Sequence, residues 1–268
     1  MKSFGVVAML LLLVWASVCP ADIQNHALAI VLTPSIAYKT RAQNIAKINR
    51  NLSESDIQAI HRFLRRKDSQ GLAPLEINSL KNDLVLALMR QNRHDKDLVE
   101  LLIEMYGDKE YSIVWRDYCI QFMGRIYPEA TLSEQARLKK ALQDAVQNSI
   151  PSLSVTAMIA VQLNQPDLSL EPGVIRDQAL ALLKHDIPSY VKVSLFQICA
   201  ADNIEPKVVL PMLRSIVKES NDVPLKSSAI AALGIYGDKT ALELIDPLCT
   251  SSDIRIRSAA LAARKKLQ

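Results

Sequence analysis

Apolar positions recur along this chain with the period of an α-helix, and one eight-residue pattern of them appears six times. It reads basic, two variable residues, two apolar residues, two variable residues, apolar. The first positions of the copies are Lys81, Arg116, Ser154, Lys192, Lys226 and Arg257. The copy at Ser154 lacks the basic residue, and the copy at Arg257 has only the first two apolar positions, Ala260 and Leu261. They are separated by 35, 38, 38, 34 and 31 residues. Repetition at periods of about 20–50 residues is typical of solenoids, in which each repeat packs on its neighbours.

A second helical segment precedes each copy. Ser53 and Asp56 form a capping-box arrangement at the start of the first of these segments, and Pro172 is suited to the first turn of the fourth. Pro211 and Pro247 fall inside predicted helices, where proline removes a backbone hydrogen bond. Each is expected to kink its helix or to mark a helix boundary.

The paired segments cover residues 53–268 and predict an all-α fold. Glycine is scarce, with 7 residues in 268, and no stretch alternates apolar and polar residues long enough to indicate a sheet. We therefore predict a right-handed alpha-alpha superhelix of about six antiparallel helix pairs. Residues 22–52 precede these pairs and are predicted to form a partly helical N-terminal cap, through Ile36, Ile45 and Ile48.

Residues 1–21 have the organisation of a secretory signal peptide. One lysine precedes an apolar run over residues 4–14, and Ala21 supplies a small residue for cleavage. The run is shorter than the roughly 20 apolar residues that a spanning helix needs, which favours cleavage over an uncleaved anchor. Lipidation of Cys19 is disfavoured, because Val18 stands where lipoprotein signals usually have a small residue. We expect an exported protein of bacterial type, periplasmic or extracellular.

The stretch over residues 223–267 carries a recognisable motif. The residues that match it are Ala229, Ala232, Leu233, Gly234, Gly237, Asp238 and Ala241. The stretch resembles the short bacterial form of HEAT repeats, V-R-x-x-A-x-x-A-L-G-x-x-G-D-x-x-A-x-x-x-L, with Lys226 in place of arginine. The resemblance implies that the basic first residue of each copy bonds the neighbouring repeat rather than a ligand. A ligand contact is the alternative.

Charge and cysteine content narrow the function classes. The formal net charge is only +4, and one of these charges is the lysine of the signal segment. Nucleic-acid binding needs a more concentrated basic surface, so we expect no nucleic-acid partner. After the signal, Cys119, Cys199 and Cys249 remain, which is too sparse a set for a disulfide framework. Cys119 and Cys199 occupy apolar positions of the repeat and are predicted core residues.

No catalytic, cofactor-binding or metal-binding motif stands out. The four histidines, at positions 26, 61, 94 and 185, include no pair at the i, i+4 spacing of a helical metal site. The chain has no glycine-rich phosphate loop and no nucleophile elbow. We predict no catalytic residues, no cofactor and no metal.

Aromatic residues are concentrated in one segment, which is the one candidate binding surface. Six of the eleven aromatic residues after the signal lie between Tyr106 and Tyr127. The candidate partner-binding residues are Tyr111, Trp115, Arg116, Tyr118, Phe122 and Arg125. Aromatic residues and arginine are enriched in interface hot spots. The alternative is that this helix buries two faces between its neighbours.

These observations predict a non-catalytic binding or scaffolding protein that holds a protein partner on an extended concave surface. The step from fold to function rests on analogy. Two alternatives remain open. One is a helical-repeat enzyme, either lyase-like or acting on nucleic acid. The other is an accessory subunit of a cell-envelope complex, with residues 22–52 as a docking arm.

Overall fold

A computed structural model describes residues 23–91 and 95–268 of the chain. This described part contains fourteen α-helices and no strand, which confirms the all-α prediction. None of its helices is both long and apolar enough to cross a membrane. The predicted signal peptide at residues 1–21 lies outside the described residues. The chain divides into two compact units, Met1–Leu101 and Leu102–Gln268.

The first unit contains two helix pairs. Their bounds are α1 His26–Leu32, α2 Tyr38–Ile45, α3 Glu54–Leu64 and α4 Pro74–Met89. Helix α1 packs against α2 and α3, and α4 packs against α2 and α3. The predicted capping box at Ser53 and Asp56 is present. Asp56 also accepts hydrogen bonds from the backbone N–H groups of Gln24 and Asn25, at 2.9 and 3.2 Å, so it joins the start of α1 to the start of α3.

Helix α5, Leu98–Gly107, spans the division, and nine helices follow it. They are α6 Ile113–Ile126, α7 Leu132–Val146, α8 Pro151–Leu163, α9 Val174–Leu183, α10 Ser189–Ala201, α11 Pro206–Glu219, α12 Val223–Tyr236, α13 Leu242–Ile245 and α14 Ile254–Leu267. The even-numbered helices α6 to α14 pack one against the next. The odd-numbered helices pack beside them, α7 on α8 and α11 on α12. The second unit thus has two layers of helices.

Every copy of the sequence pattern lies on the second helix of a pair. In the first five copies the apolar positions are at most 2% exposed. These residues are Leu84, Val85, Leu88, Cys119, Ile120, Met123, Ala157, Met158, Val161, Leu195, Phe196, Cys199, Ala229, Ile230 and Leu233. In the last copy Ala260 is buried but Leu261 is 42% exposed.

Two of the basic first positions bond a carbonyl at or just after the end of the preceding helix in their own pair. Lys81 Nζ donates to the carbonyl of Arg66 at 2.6 Å, and Arg116 Nε donates to the carbonyl of Tyr106 at 2.7 Å. The last carbonyls of a helix have no partner within it, and its C-terminus favours a cation. The bond therefore joins the two helices of one pair, not neighbouring repeats as the resemblance implied.

The same bond reveals a seventh copy that sequence analysis missed. Arg41 on α2 donates from Nε to the carbonyl of Val31 on α1, at 2.6 Å. Arg41 is followed by Asn44, Ile45 and Ile48 at the spacing of the pattern. The segment preceding the six predicted pairs is therefore itself a helix pair of the repeat type.

One helix boundary differs from the one expected, and the two prolines inside predicted helices have different outcomes. Helix α9 begins at Val174 rather than at Pro172, because Gly173 adopts the left-handed conformation before it, with φ +90°. Helix α11 continues through Pro211. At Pro247 the expected break occurs, since α13 gives way to a 3-10 turn over residues 246–250.

Candidate functional site

The structure buries four of the six residues predicted to bind a partner. Trp115 is 0% exposed, and Phe122, Arg116 and Tyr111 are 4%, 5% and 7% exposed. This corrects the prediction of a surface for these four, because residues packed inside the fold cannot contact a partner. The other two, Tyr118 and Arg125, are half-buried and exposed, and for them partner binding stays a prediction.

The contacts of α6 explain this burial. The indole N–H of Trp115 points at Met105 Sδ, 3.3 Å away, and its ring meets Tyr118 edge-on with centroids 6.3 Å apart. The guanidinium of Arg116 lies over the ring of Tyr106, 5.6 Å from its centroid. The alternative of two buried faces on this helix accounts for these four residues.

Tyr118 instead lines a shallow groove of about 390 Å³ between α6, α8 and α10. Exposed apolar side chains form part of its wall, including Ile113 and Tyr190, at 49% and 69% exposure. Asp117 is the carboxylate in the groove, and it accepts a hydrogen bond from Thr156 at 2.6 Å. Sequence analysis did not predict this groove. Its signal in the sequence was a set of apolar residues at the start of a helix, which the structure exposes to solvent.

A cluster of metal-ligand type lies in the first unit. His61 on the last turn of α3 is 1% exposed, and its Nε2 lies 2.8 Å from Oδ2 of Asp95, whose side chain is 7% exposed. Asp97 stands at the surface two residues later. One ligand atom from each of the three residues can be chosen so that all lie within 4.8 Å of one another. This is the candidate functional site.

The surrounding bonds position the two carboxylates. Asp95 Oδ1 accepts from the backbone N–H of Asp97 at 3.2 Å, and the Asp97 carbonyl accepts from the N–H of Leu101 in α5 at 2.9 Å. Oδ2 of Asp97 accepts from the side chain of Gln58, one turn before His61 on α3, at 3.4 Å. The start of α5 and the end of α3 therefore hold the cluster from both sides.

The spacing fits the coordination sphere of a transition-metal ion. Imidazole nitrogen and carboxylate oxygen bind such ions at about 2.1 Å, so neighbouring ligands lie about 3.0–3.4 Å apart and opposite ones about 4.2 Å. The 2.8 Å between His61 and Asp95 is close to the first range. All three ligand atoms lie within 4.8 Å of one another, so a small contraction of the cluster would bring them into this geometry. Three protein ligands with one exposed side are typical of catalytic metal sites.

Sequence analysis assigned no metal ligand and disfavoured a metal site in the polar loop over residues 94–97, because it searched for ligands at the spacing of one helix. The ligands come instead from consecutive repeats, since 34 residues separate His61 from Asp95. That separation matches the repeat period, and equivalent positions of adjacent repeats are neighbours in space. A search for ligand types one period apart could have found the cluster.

No protein-family model matches the chain, and no curated protein matches it either. Among solved structures, it is similar to human deoxyhypusine hydroxylase in complex with glycerol, with 14% identity and a TM-score of 0.40, over 90% of this chain and 94% of that one. It is also similar to an engineered protein, with 14% identity and a TM-score of 0.34, over 91% and 96% of the two chains. These likenesses concern the helical-repeat fold alone.

The comparison corrects the expectation of a non-catalytic scaffold. That expectation inferred a binding role from a helical-repeat fold, but a solved structure with a similar arrangement of helices is an enzyme. A fold by itself does not decide whether a protein is catalytic, and most of the aromatic surface that supported a scaffold is buried. What this chain itself does has to be argued from its own residues.

Proposed function

We propose that this protein is a helical-repeat enzyme of the HEAT type, in which His61, Asp95 and Asp97 bind a divalent transition-metal ion. The observation that carries the proposal is the convergence of one imidazole and two carboxylates from two repeats. A bound ion of this kind lowers the pKa of coordinated water and polarises substrate oxygens, which is the chemistry of hydrolases and lyases.

The three residues of the cluster differ in how deeply they are buried, and this difference suits a metal site. His61 and the Asp95 side chain are almost fully enclosed, so their positions are fixed by packing. Asp97 faces the solvent, which leaves one side of the ion accessible to water and substrate.

The HEAT assignment is supported by how the matching residues behave. Gly237 ends α12 with φ +72°, a conformation that favours glycine. Asp238 is 7% exposed and accepts hydrogen bonds from Arg214 at 2.7 and 2.9 Å. Gly234 lies so close to α14 that a Cβ there would be 2.8 Å from Ala263 Cα.

The test is metal titration of the full-length protein after chelator treatment, followed by Co²⁺ absorption and Zn²⁺ calorimetry. We expect Asp97→Asn to weaken affinity at least about tenfold, as loss of one ligand should. His185→Gln is the control, since His185 is exposed and lies outside the cluster. Hydrolysis of generic ester and phosphoester substrates should then fall in Asp97→Asn and not in the control. Equal metal affinity in the parent and Asp97→Asn would contradict the proposal.

We also propose export of the protein, on the strength of the signal-like order of residues 1–21. Expression of the full chain in a Gram-negative host should yield a periplasmic product whose N-terminal residue is Asp22. N-terminal sequencing of that product is the measurement. Recovery of chains that begin at Met1 in the cytoplasmic fraction would contradict it.

A further inference from the structure

Arg41 is an unusual member of the repeat series because its guanidinium is completely enclosed. The residue is 0% exposed and lies over the ring of Phe63, 5.5 Å from its centroid. Its Nε donates to the carbonyl of Val31 at 2.6 Å, and its Nη2 donates to Oε1 of Gln70 at 3.1 Å. The remaining nitrogen, Nη1, is buried and has no hydrogen-bond partner.

Gln70, which is bonded to Arg41, carries a second unused donor. Its Nε2 is buried and without a partner, although its Oε1 is bonded to Arg41. Within the described residues, Arg41 Nη1 and Gln70 Nε2 are the two buried side-chain atoms that lack a hydrogen bond. Buried polar groups are nearly always satisfied, so two unsatisfied donors on one bonded pair indicate a missing acceptor.

The charge around this pair indicates what that acceptor is. A guanidinium stays charged in proteins, and no carboxylate within the described residues contacts Arg41. Burial and the nearby charge of Arg66 both lower the pKa of Arg41, so a second cation lies close by. Asp68 is bonded to Arg66 at 2.7 and 2.8 Å rather than to Arg41.

We propose that Arg41 and Gln70 bind a small oxyanion, a phosphate or a carboxylate, which accepts hydrogen bonds from Arg41 Nη1 and Gln70 Nε2. A guanidinium N–H and an amide N–H can each donate to a different oxygen of one anion. A buried water molecule would satisfy the donors but would leave the enclosed charge uncompensated, and such charges are normally paired. Gln70 is itself partly exposed, which gives the anion a route from the solvent. The proposal does not depend on the metal cluster.

The test compares thermal melting of the full-length parent with Gln70→Glu and Arg62→Gln in low-salt buffer, with added inorganic phosphate or acetate. In the parent we expect a saturable rise in Tm of roughly 5 °C at 100-fold excess over Kd. Gln70→Glu supplies the missing acceptor, so it should melt higher than the parent without anion and respond to neither. Arg62→Gln removes an exposed charge on α3, next to Phe63 in the chain, and should respond like the parent.

The two anions distinguish between the two kinds of ligand. A response to phosphate alone identifies a phosphate site, and a response to acetate alone identifies a carboxylate site. If neither anion raises the Tm of the parent, or if Gln70→Glu responds as the parent does, the acceptor is an ordered water and the proposal fails. If Gln70→Glu does not fold, calorimetry of phosphate and acetate binding to the parent and Arg41→Lys decides. Loss of binding in Arg41→Lys supports the site, and equal binding or none in the parent overturns it.

Discussion

In helix α6, two aromatic side chains only three residues apart lie in opposite environments, one in the core and one at the surface. Trp115 is fully enclosed, whereas Tyr118, three residues later, reaches the groove between α6, α8 and α10. Both belong to the aromatic group that the sequence alone could not divide, because a helix between two neighbours has more than one buried face.

We predict that Trp115→Ala lowers the free energy of unfolding by about 3–5 kcal/mol, because it removes a large buried side chain and leaves a cavity. Tyr118→Ala is the matched control and should cost far less, since its ring is partly in solvent. Urea unfolding followed by circular dichroism measures both. Equal losses in the two variants would mean that Tyr118 is as much a core residue as Trp115.

Asp238 gives a prediction about pH. Burial raises the pKa of its carboxyl, but hydrogen bonds from Arg214 and Thr240 lower it by more, so the pKa lies below its usual value. A depressed pKa stabilises the fold above the unfolded-state pKa, near 3.9, and this contribution is lost as the pH falls through the folded-state pKa.

Asp238→Asn should therefore cost about 1–3 kcal/mol at pH 7, and the difference from the parent should shrink as the pH falls below about 4. Asp144→Asn, on the exposed face of α7, is the control and should change stability little at either pH. Urea titrations across this pH range are the measurement. A difference that stays constant down to pH 3 would contradict the electrostatic explanation.

At the scale of elements, glycines set how closely second helices approach. Gly124 of α6 and Gly234 of α12 each stand eight residues after the first position of their copy. A Cβ on Gly124 would lie 2.7 Å from Ala160 Cβ, and one on Gly234 would lie 2.8 Å from Ala263 Cα. Carbon atoms that are not bonded to each other cannot approach this closely. The contacts of α6 with α8 and of α12 with α14 therefore require glycine at these positions.

We predict that Gly234→Ala destabilises the protein by about 1–3 kcal/mol through overpacking between α12 and α14. Gly107→Ala is the control at the end of α5, where an added Cβ meets no atom within 4 Å. It should stabilise by roughly 0.5–1 kcal/mol, because alanine favours the helix. Thermal melting of the two variants should therefore shift in opposite directions, and shifts of the same sign would contradict this account.

The repeat pattern was sufficient to predict most elements, and the reasons for its failures are local. The pair α1 and α2 was missed because Asn44 occupies a position where the pattern expects an apolar residue. The structure accommodates this amide because its Nδ2 donates to the carbonyl of Thr40 at 2.8 Å. Helix α13 is short because Pro247 interrupts it. The cluster of His61 with Asp95 depends on contact between repeats, which residue spacing within one helix does not reveal.

At the scale of the molecule, the division at Leu101 and Leu102 predicts separable unfolding, since compact units generally fold as units. Trp115 reports on the second unit, and circular dichroism reports on both. In a Trp15→Phe background, Leu64→Ala in the first unit should shift the dichroism transition and leave the fluorescence transition unchanged. Leu195→Ala in the second unit should shift fluorescence. Fluorescence and dichroism transitions that move together in both variants would show a single cooperative unit.

Three free cysteines lie at intervals along the second unit, and all of them are buried. Burial raises the pKa of Cys199 to about 12, so this thiol is hardly ever a thiolate while the fold is intact. Cys119 on α6 and Cys199 on α10 sit two repeats apart, and Cys249 precedes α14. The rate at which each thiol is alkylated therefore measures how often the structure around it opens. Under native conditions the order in which the three residues are labelled would show whether this array of helices opens from its C-terminal end or from its middle.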